Sequence, residues 1–177
     1  TKRDTFLNRQ EYDQLVFTAI SGFGEPASER VVRTLPPAIL KPAVLWTGKQ
    51  VVSSLLINLV GDLPQMTYNG VAQVSDKAWG SGKIAPQSPL GEQLVLVEEG
   101  ELLRGVLDKP TFGAKNYSLV HAMHELYGVD LCSKFLSCFG RVVTSYFQKR
   151  GFTCSMEDLV LEREAEAKRR ALIDSAL

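Results

Sequence analysis

The chain has 177 residues, 45% hydrophobic and 23% charged, and its 20 basic and 20 acidic side chains give a formal net charge of zero. This is ordinary globular composition for one domain, or a domain with an appendage, long enough to bury most of its apolar surface without staples. It lacks the basic excess with which a free-standing nucleic-acid binder neutralises phosphates. The charge is slightly basic over residues 1–50 and 108–150 and slightly acidic over 51–107 and 151–177, a pattern that nucleic-acid contact and plain solvation explain equally well.

The chain opens on Thr1 in TKRD rather than on a methionine, which points to a piece of a longer protein. Asn8 then stands as an N-cap with Glu11 three residues on, the spacing of a capping box. Tyr12, Leu15, Val16 and Ala19 recur at helical spacing behind it. SGFGEPASER breaks that pattern and reads as a surface loop. In VVRTLPPAILKPAVLW, prolines remove backbone donors and push their predecessors out of helical geometry. The stretch is therefore extended and irregular, yet apolar enough to lie against a surface. Thr47 caps a helix through VVSSLLINL, with Val51, Leu55 and Leu59 on one face.

Residues 61–90 are dense in turn formers and read as the least structured part. EQLVLVEEGELLRGVLD reads as two β runs joined by a hairpin turn at Glu99-Gly100, with one face buried. PTFGAKNY reads as a loop. SLVHAMHELYG reads as a short helix ended by Gly128, and Asp130 opens a longer one stopped by Gly151, with Lys149 and Arg150 in its last turn as the helix dipole favours. DLVLEREAEAKRRALIDSAL starts strand-like and becomes a charged helix of weak amphipathicity. The predicted class is α/β of the α+β type, mixed helices with a β-hairpin, short strands and a long proline-rich segment.

Candidate chemistry is sparse. TGKQ has a glycine followed by a lysine but is not a phosphate-binding loop, because Gly48 stands alone and Gln50 occupies the position of the magnesium-binding hydroxyl. Lys49, near a helix N-terminus, keeps some attraction for an anion. His121 and His124 lie three apart on one helix but lack zincin spacing and a third ligand, so no metal site is predicted and one histidine is expected packed, the other wet. Glu98, Glu99 and Glu101 cluster on a turn, where carboxylates are solvated rather than catalytic. Cys132, Cys138 and Cys154 form no paired spacing, which fits a reducing compartment with Cys132 and Cys138 as small hydrophobes in a helix. No apolar run is long enough to span a bilayer, and no secretory signal is visible. No catalytic residue is predicted.

Five stretches carry a resemblance. TKRDTF, PPAILKPAVLWTGKQ, GELLRGVLDK, FGAKNYSLVH and RGFTCSMEDLVL, in this order, resemble the largest subunit of the multi-subunit RNA polymerases. GVLDK with FGAKNYSLVHAMHELYG is most like the polymerase I branch. The match covers nearly the whole chain and is weakest over residues 61–90. It implies a pore domain over residues 1–158 and the beginning of the funnel over 159–177. Such a segment walls the channel through which nucleoside triphosphates enter and the backtracked RNA 3′ end leaves.

The same resemblance implies a nucleotidyltransferase as a whole, working in the nucleus and nucleolus. The NADFDGD-type loop is absent here, so the catalytic magnesium and the zinc of that enzyme are expected elsewhere in the full subunit, with no cofactor in these residues. Implied partners are the second-largest subunit and the other subunits, the rest of its own chain, the RNA 3′ end, incoming triphosphates, and template DNA through the whole enzyme, with no membrane. Lys49 and Lys41 are the implied RNA- or nucleotide-facing residues, while Trp46 and the proline run are structural. The tail from Glu162 is the implied opening helix of the funnel and is expected to fray alone. Two other readings stay open on residues alone: a free-standing interaction module, and a metal-dependent hydrolase using His121 and His124.

Overall fold

A computed structural model of the chain describes residues 5–21, 31–73, 92–113, 115–151, 153–161 and 163–176. Thr1–Tyr146 and Phe147–Leu177 form two compact units. Of the loop expected over 21–30, residues 22–30, and of the turn-rich stretch 61–90, residues 74–90, lie outside the described residues.

In the first unit, the Asn8 side chain accepts from the Glu11 N–H at 2.8 Å, and the Asn8 N–H donates to the Glu11 carboxylate at 3.0 Å. The box satisfies two donors that the helix α1 (Arg9–Ile20) cannot pair internally. That helix buries Tyr12, Leu15, Val16, Ala19 and Ile20, the stripe its spacing predicts with one residue more. Strand β1 (Phe6–Leu7) pairs antiparallel with β2 (Trp46–Thr47), Phe6 facing Thr47, and so brings the start of the chain to the start of α2 (Gly48–Val60).

Helix α2 is the centre of the core. Thr47 and Gln50 form its capping box as the sequence indicates. Its burial exceeds a single stripe, since Ser53, Ser54, Leu56 and Val60 are enclosed along with Val51 and Leu55. The reason is that α1 packs on it from one side and the β-hairpin from another. Both buried serines are satisfied: Ser54 Oγ lies 2.5 Å from Tyr12 Oη, and Ser53 Oγ accepts from the Leu102 N–H at 2.8 Å.

The proline-rich segment over residues 31–45 contains no helix and only an isolated bridge between Ile39 and Leu45, as its prolines require. It is held by polar contacts together with the half-buried Leu35, Pro37, Ile39 and Leu45, while Val31 is 89% and Leu40 69% exposed. The Leu35 N–H donates to Tyr12 Oη at 3.1 Å, and Leu35 O accepts from Trp46 Nε1 at 2.9 Å. Pro36 O accepts from Gln50 Nε2 at 2.7 Å, and Asn58 clasps both backbone groups of Arg33 at 2.8 and 2.7 Å.

A three-stranded antiparallel sheet has the order β3 (Tyr68–Val71), β4 (Leu94–Glu98), β5 (Glu101–Arg104). The hairpin predicted at Glu99-Gly100 is present, with φ of 49° and 81° at the two positions. Two positive φ values suit the twist of a two-residue hairpin turn. The register shifts opposite Leu96 and Val97, leaving Leu103 as an extra residue on β5. That bulge turns the Leu102 N–H toward Ser53 and away from the ladder. Strand β3 corrects the reading of residues 61–90 as turns. Asn69-Gly70 is a turn signal inside a short run, and the strand exists because β4 supplies its ladder.

PTFGAKNY also departs from its loop reading, because one helical turn, α3 (Lys109–Phe112), opens it. Asp108 caps that turn, accepting from the Thr111 N–H at 3.2 Å, and four residues are too few to show a periodic stripe. Helix α4 (Leu119–Arg150) is broken at Gly128, where φ is 82°, so the two predicted helices abut there. Leu119, Met123, Phe135 and Cys138 face the core, and Phe112 stacks on Phe139 at 4.4 Å between ring centroids.

In the second unit, Gly151 (φ 68°) ends α4 by donating its N–H to Phe147 O at 2.7 Å. A 3-10 turn at Met156–Leu159 stands where DLVL reads strand-like. The charged tail forms α5 (Arg163–Ala176), which buries none of its described residues. Glu166 accepts from Arg169 Nε at 2.8 Å and Arg170 Nε at 3.1 Å, and the Arg169 hydrogen bond holds its carboxyl below the usual carboxylate range.

Tyr12 Oη thus serves α2 and the proline-rich segment at once. Tyr12→Phe leaves Ser54 Oγ and the Leu35 N–H without that partner and is expected to cost about 1–3 kcal/mol in urea unfolding. An unchanged midpoint would mean that water replaces the hydroxyl at no cost.

Candidate nucleic-acid interface

The two lysines singled out by sequence stand in different settings. The reciprocal bonds between Ile39 and Leu45, at 3.1 and 2.9 Å, close a short excursion of chain that carries Lys41, which is exposed. Lys49 is the second residue of α2, and its Nζ lies 2.6 Å from Glu92 Oε2, with the two side chains 24% and 25% exposed. The same carboxylate oxygen accepts from the Gly105 N–H at 2.9 Å.

Gly105 sits at φ 98°, and a Cβ there would come within 2.6 Å of Leu94 O, so the backbone of β4 excludes any side chain. Lys49, Glu92 and Gly105 therefore tie the first turn of α2 to the base of the hairpin. A cation at a helix N-terminus opposes the helix dipole, and the carboxylate offsets that cost. The helix end is also occupied: the Gly48 N–H donates to Thr5 O at 3.1 Å and the Gln50 N–H to Thr47 Oγ1 at 3.3 Å. These backbone donors, which would cradle a phosphate, already have acceptors.

The other candidates are dispersed. His121 and His124 are both exposed, which corrects the expectation that one is packed. His124 Nδ1 is 3.6 Å from its neighbour Glu125, and His121 meets the Tyr117 ring edge-on at 6.1 Å. Among the described residues no three His, Cys, Asp or Glu side chains are placed to share a metal. Glu98 and Glu99 are exposed on the hairpin turn and Glu101 is half-buried. Cys132 and Cys138 are buried and Cys154 is exposed.

One surface escaped sequence reasoning. A groove of about 670 Å³ is lined by Val71, Ala72, Gln73, Lys109, Pro110 and Lys115. Close by in sequence, Tyr117 is 84% exposed at φ 62°, its carbonyl accepting from Tyr68 Oη at 3.1 Å. The two ammonium groups that line the groove can meet the phosphates of a nucleic-acid chain. The signal available was the pair of lysines on either side of PTFG. Tyr68 itself is pushed above the usual tyrosine value, first by burial and then by the Asp108 charge.

Residues 1–159 match the family model described as RNA polymerase Rpb1, domain 3. The chain is 44% identical over 176 residues to DNA-directed RNA polymerase I subunit rpa1 of Schizosaccharomyces pombe, covering 99% of this chain and 10% of that protein. It is 38% identical to DNA-directed RNA polymerase I subunit RPA1 of Drosophila melanogaster, over 97% of this chain and 11% of that protein. It is 35% identical to subunit RPA190 of Saccharomyces cerevisiae RNA polymerase I, over 100% and 10%. The chain thus spans about a tenth of the length of the curated relatives it matches.

Lys49→Met and Glu92→Gln are each expected to cost about 1–2 kcal/mol, and the double variant less than their sum, because the pair is neither fully wet nor fully buried. Additive losses in a double-mutant cycle would show that the ion pair carries no coupling. A second outcome concerns pH. Because the folded value of Tyr68 lies above its ordinary 10.0, its contribution is complete below that value and is lost as pH rises through the raised one. Stability should therefore fall at alkaline pH, and Tyr68→Phe should flatten the fall; an unaltered slope contradicts the assignment.

Proposed function

The chain belongs to the RNA polymerase Rpb1 domain 3 family, and from that premise we propose that it is a segment of the largest subunit of DNA-directed RNA polymerase I. The observation that carries this reading is similarity along almost the whole chain to three such subunits. Residues 1–158 act as the pore domain and 159–177 as the beginning of the funnel. Together they wall the channel by which triphosphates enter and a backtracked RNA 3′ end leaves. Nucleotidyl transfer belongs to the whole enzyme, in which this segment shapes a passage and supplies no reacting group. Its partners are the remaining polymerase subunits, the second-largest foremost, and the rest of its own chain. Its place of work is the nucleus, and within it the nucleolus. None of the described helices is long and apolar enough to cross a membrane.

Lys41 and Lys49 face RNA or triphosphate phosphates in this reading. The exposed Lys41 can do so directly, whereas Lys49 must exchange Glu92 for a phosphate oxygen. Such contacts position RNA without reading its sequence.

Affinity purification of the full-length protein from its own cells tests the assignment. The second-largest polymerase subunit and template-dependent RNA synthesis should come with it; a preparation with neither refutes the reading. In that assembled enzyme, Lys41→Ala should weaken backtracked complexes and lower the slope of log affinity against log salt by about 0.7, one single-strand phosphate contact. An identical salt slope would remove Lys41 from the channel wall.

A further inference from the structure

Beyond its break at Gly128, α4 carries a second face that its own fold does not use. At 100° per residue, Val129, Ser133, Leu136, Gly140 and Val143 follow a 4-3-4-3 spacing and fall on one side of the helix. Val129 and Leu136 are 65% and 44% exposed, Ser133 and Gly140 are exposed, and Val143 is half-buried. The core-facing residues of the same stretch are a different set: Cys132, Phe135, Cys138 and Val142.

Gly140 is the informative member. Glycine inside a helix is unfavourable relative to alanine because it carries the largest backbone entropy. Gly140 has no positive φ to excuse it, and a Cβ at that position would meet nothing within 4 Å. Nothing within the described chain requires a glycine there. A second helix does require one, because small residues at a crossing let the two axes approach closely. Ser133, seven residues earlier, makes a second notch on the same row, with Leu136 standing between them.

On one flank the stripe is bordered by Ser137 and Thr144, beyond which Asp130, Arg141 and Lys134 carry charge of both signs round toward the core-facing side. The matched relatives are about ten times as long as this chain, so on the reading above most of the same polypeptide lies outside these residues.

We propose that this face of α4 seats one α-helix from the remainder of the same polypeptide. That helix places bulky apolar residues in the notches at Ser133 and Gly140. The inference rests on reading the chain as a large-subunit segment.

The test replaces Ser137, exposed at the border of the stripe and not one of its notches, with the photo-crosslinking residue p-benzoylphenylalanine in the full-length subunit, followed by purification of the assembly and mass spectrometry of the crosslinked peptides. The expected product joins position 137 to a helical segment of the same polypeptide, outside the 177 residues. Gly140→Leu should reduce its yield severalfold, and Gly140→Ala less, although neither Cβ meets an obstacle within this chain. A crosslink to another subunit or to a second copy, or no crosslink at all, overturns the proposal. So does a yield indifferent to Gly140→Leu. Co-purification of a second large subunit is read from the same sample. Its presence with a crosslink elsewhere sinks only the docking, whereas its absence sinks the large-subunit reading and the docking with it.

Discussion

Every buried or half-buried backbone group in the proline-rich segment needs a partner that neither a helix nor a strand can supply. The segment answers this by borrowing side chains. Tyr12 from α1, Trp46 from β2, and Gln50 and Asn58 from α2 each reach the backbone of residues 33–36. Tyr12 and Trp46 also stack, with ring centroids 5.2 Å apart and planes 14° from parallel. One stacked pair thus links the first helix, the entry to the second and the irregular chain between them. The remaining packing of α2 is built on a position that this pair fixes.

The same economy explains the most distinctive motif. In LWTGKQ, Trp46 holds Leu35, Thr47 caps α2, and Gln50 both closes the capping box and holds Pro36. Lys49 is bound to Glu92 at the base of the hairpin. The motif works as a joint between three elements and leaves little of itself for a ligand. Exposed lysines lie elsewhere: Lys41 in the excursion closed by the Ile39–Leu45 bridge, and Lys109 and Lys115 along the groove.

Among the described residues, apolar side chains stay exposed on the proline-rich strip, the outer stripe of α4 and the helix α5. Val31, Leu40, Leu136 and Leu172 are all exposed on them. Isolated exposed apolar residues are unremarkable, but rows of them on regular elements mark surfaces of contact.

The sequence by itself determined the local features. Asn8 and Thr47 as caps, the Glu99-Gly100 turn, the breaks at Gly128 and Gly151 and the irregular proline run all follow from backbone chemistry within a few residues. The quoted motifs carried the family in the same way, being contiguous strings. Tertiary structure alone decided what depends on distant partners. Strand β3 exists because β4 offers it a ladder, against the turn signal of Asn69-Gly70. The turn α3 and the 3-10 turn at Met156–Leu159 are too short for any periodicity to announce. Most of all, a lysine forty-three residues before Glu92 showed no sign of its partner, because an ion pair across elements leaves no trace in sequence spacing. Whether a lysine is a ligand contact or a brace is settled by what folding places beside its ammonium group.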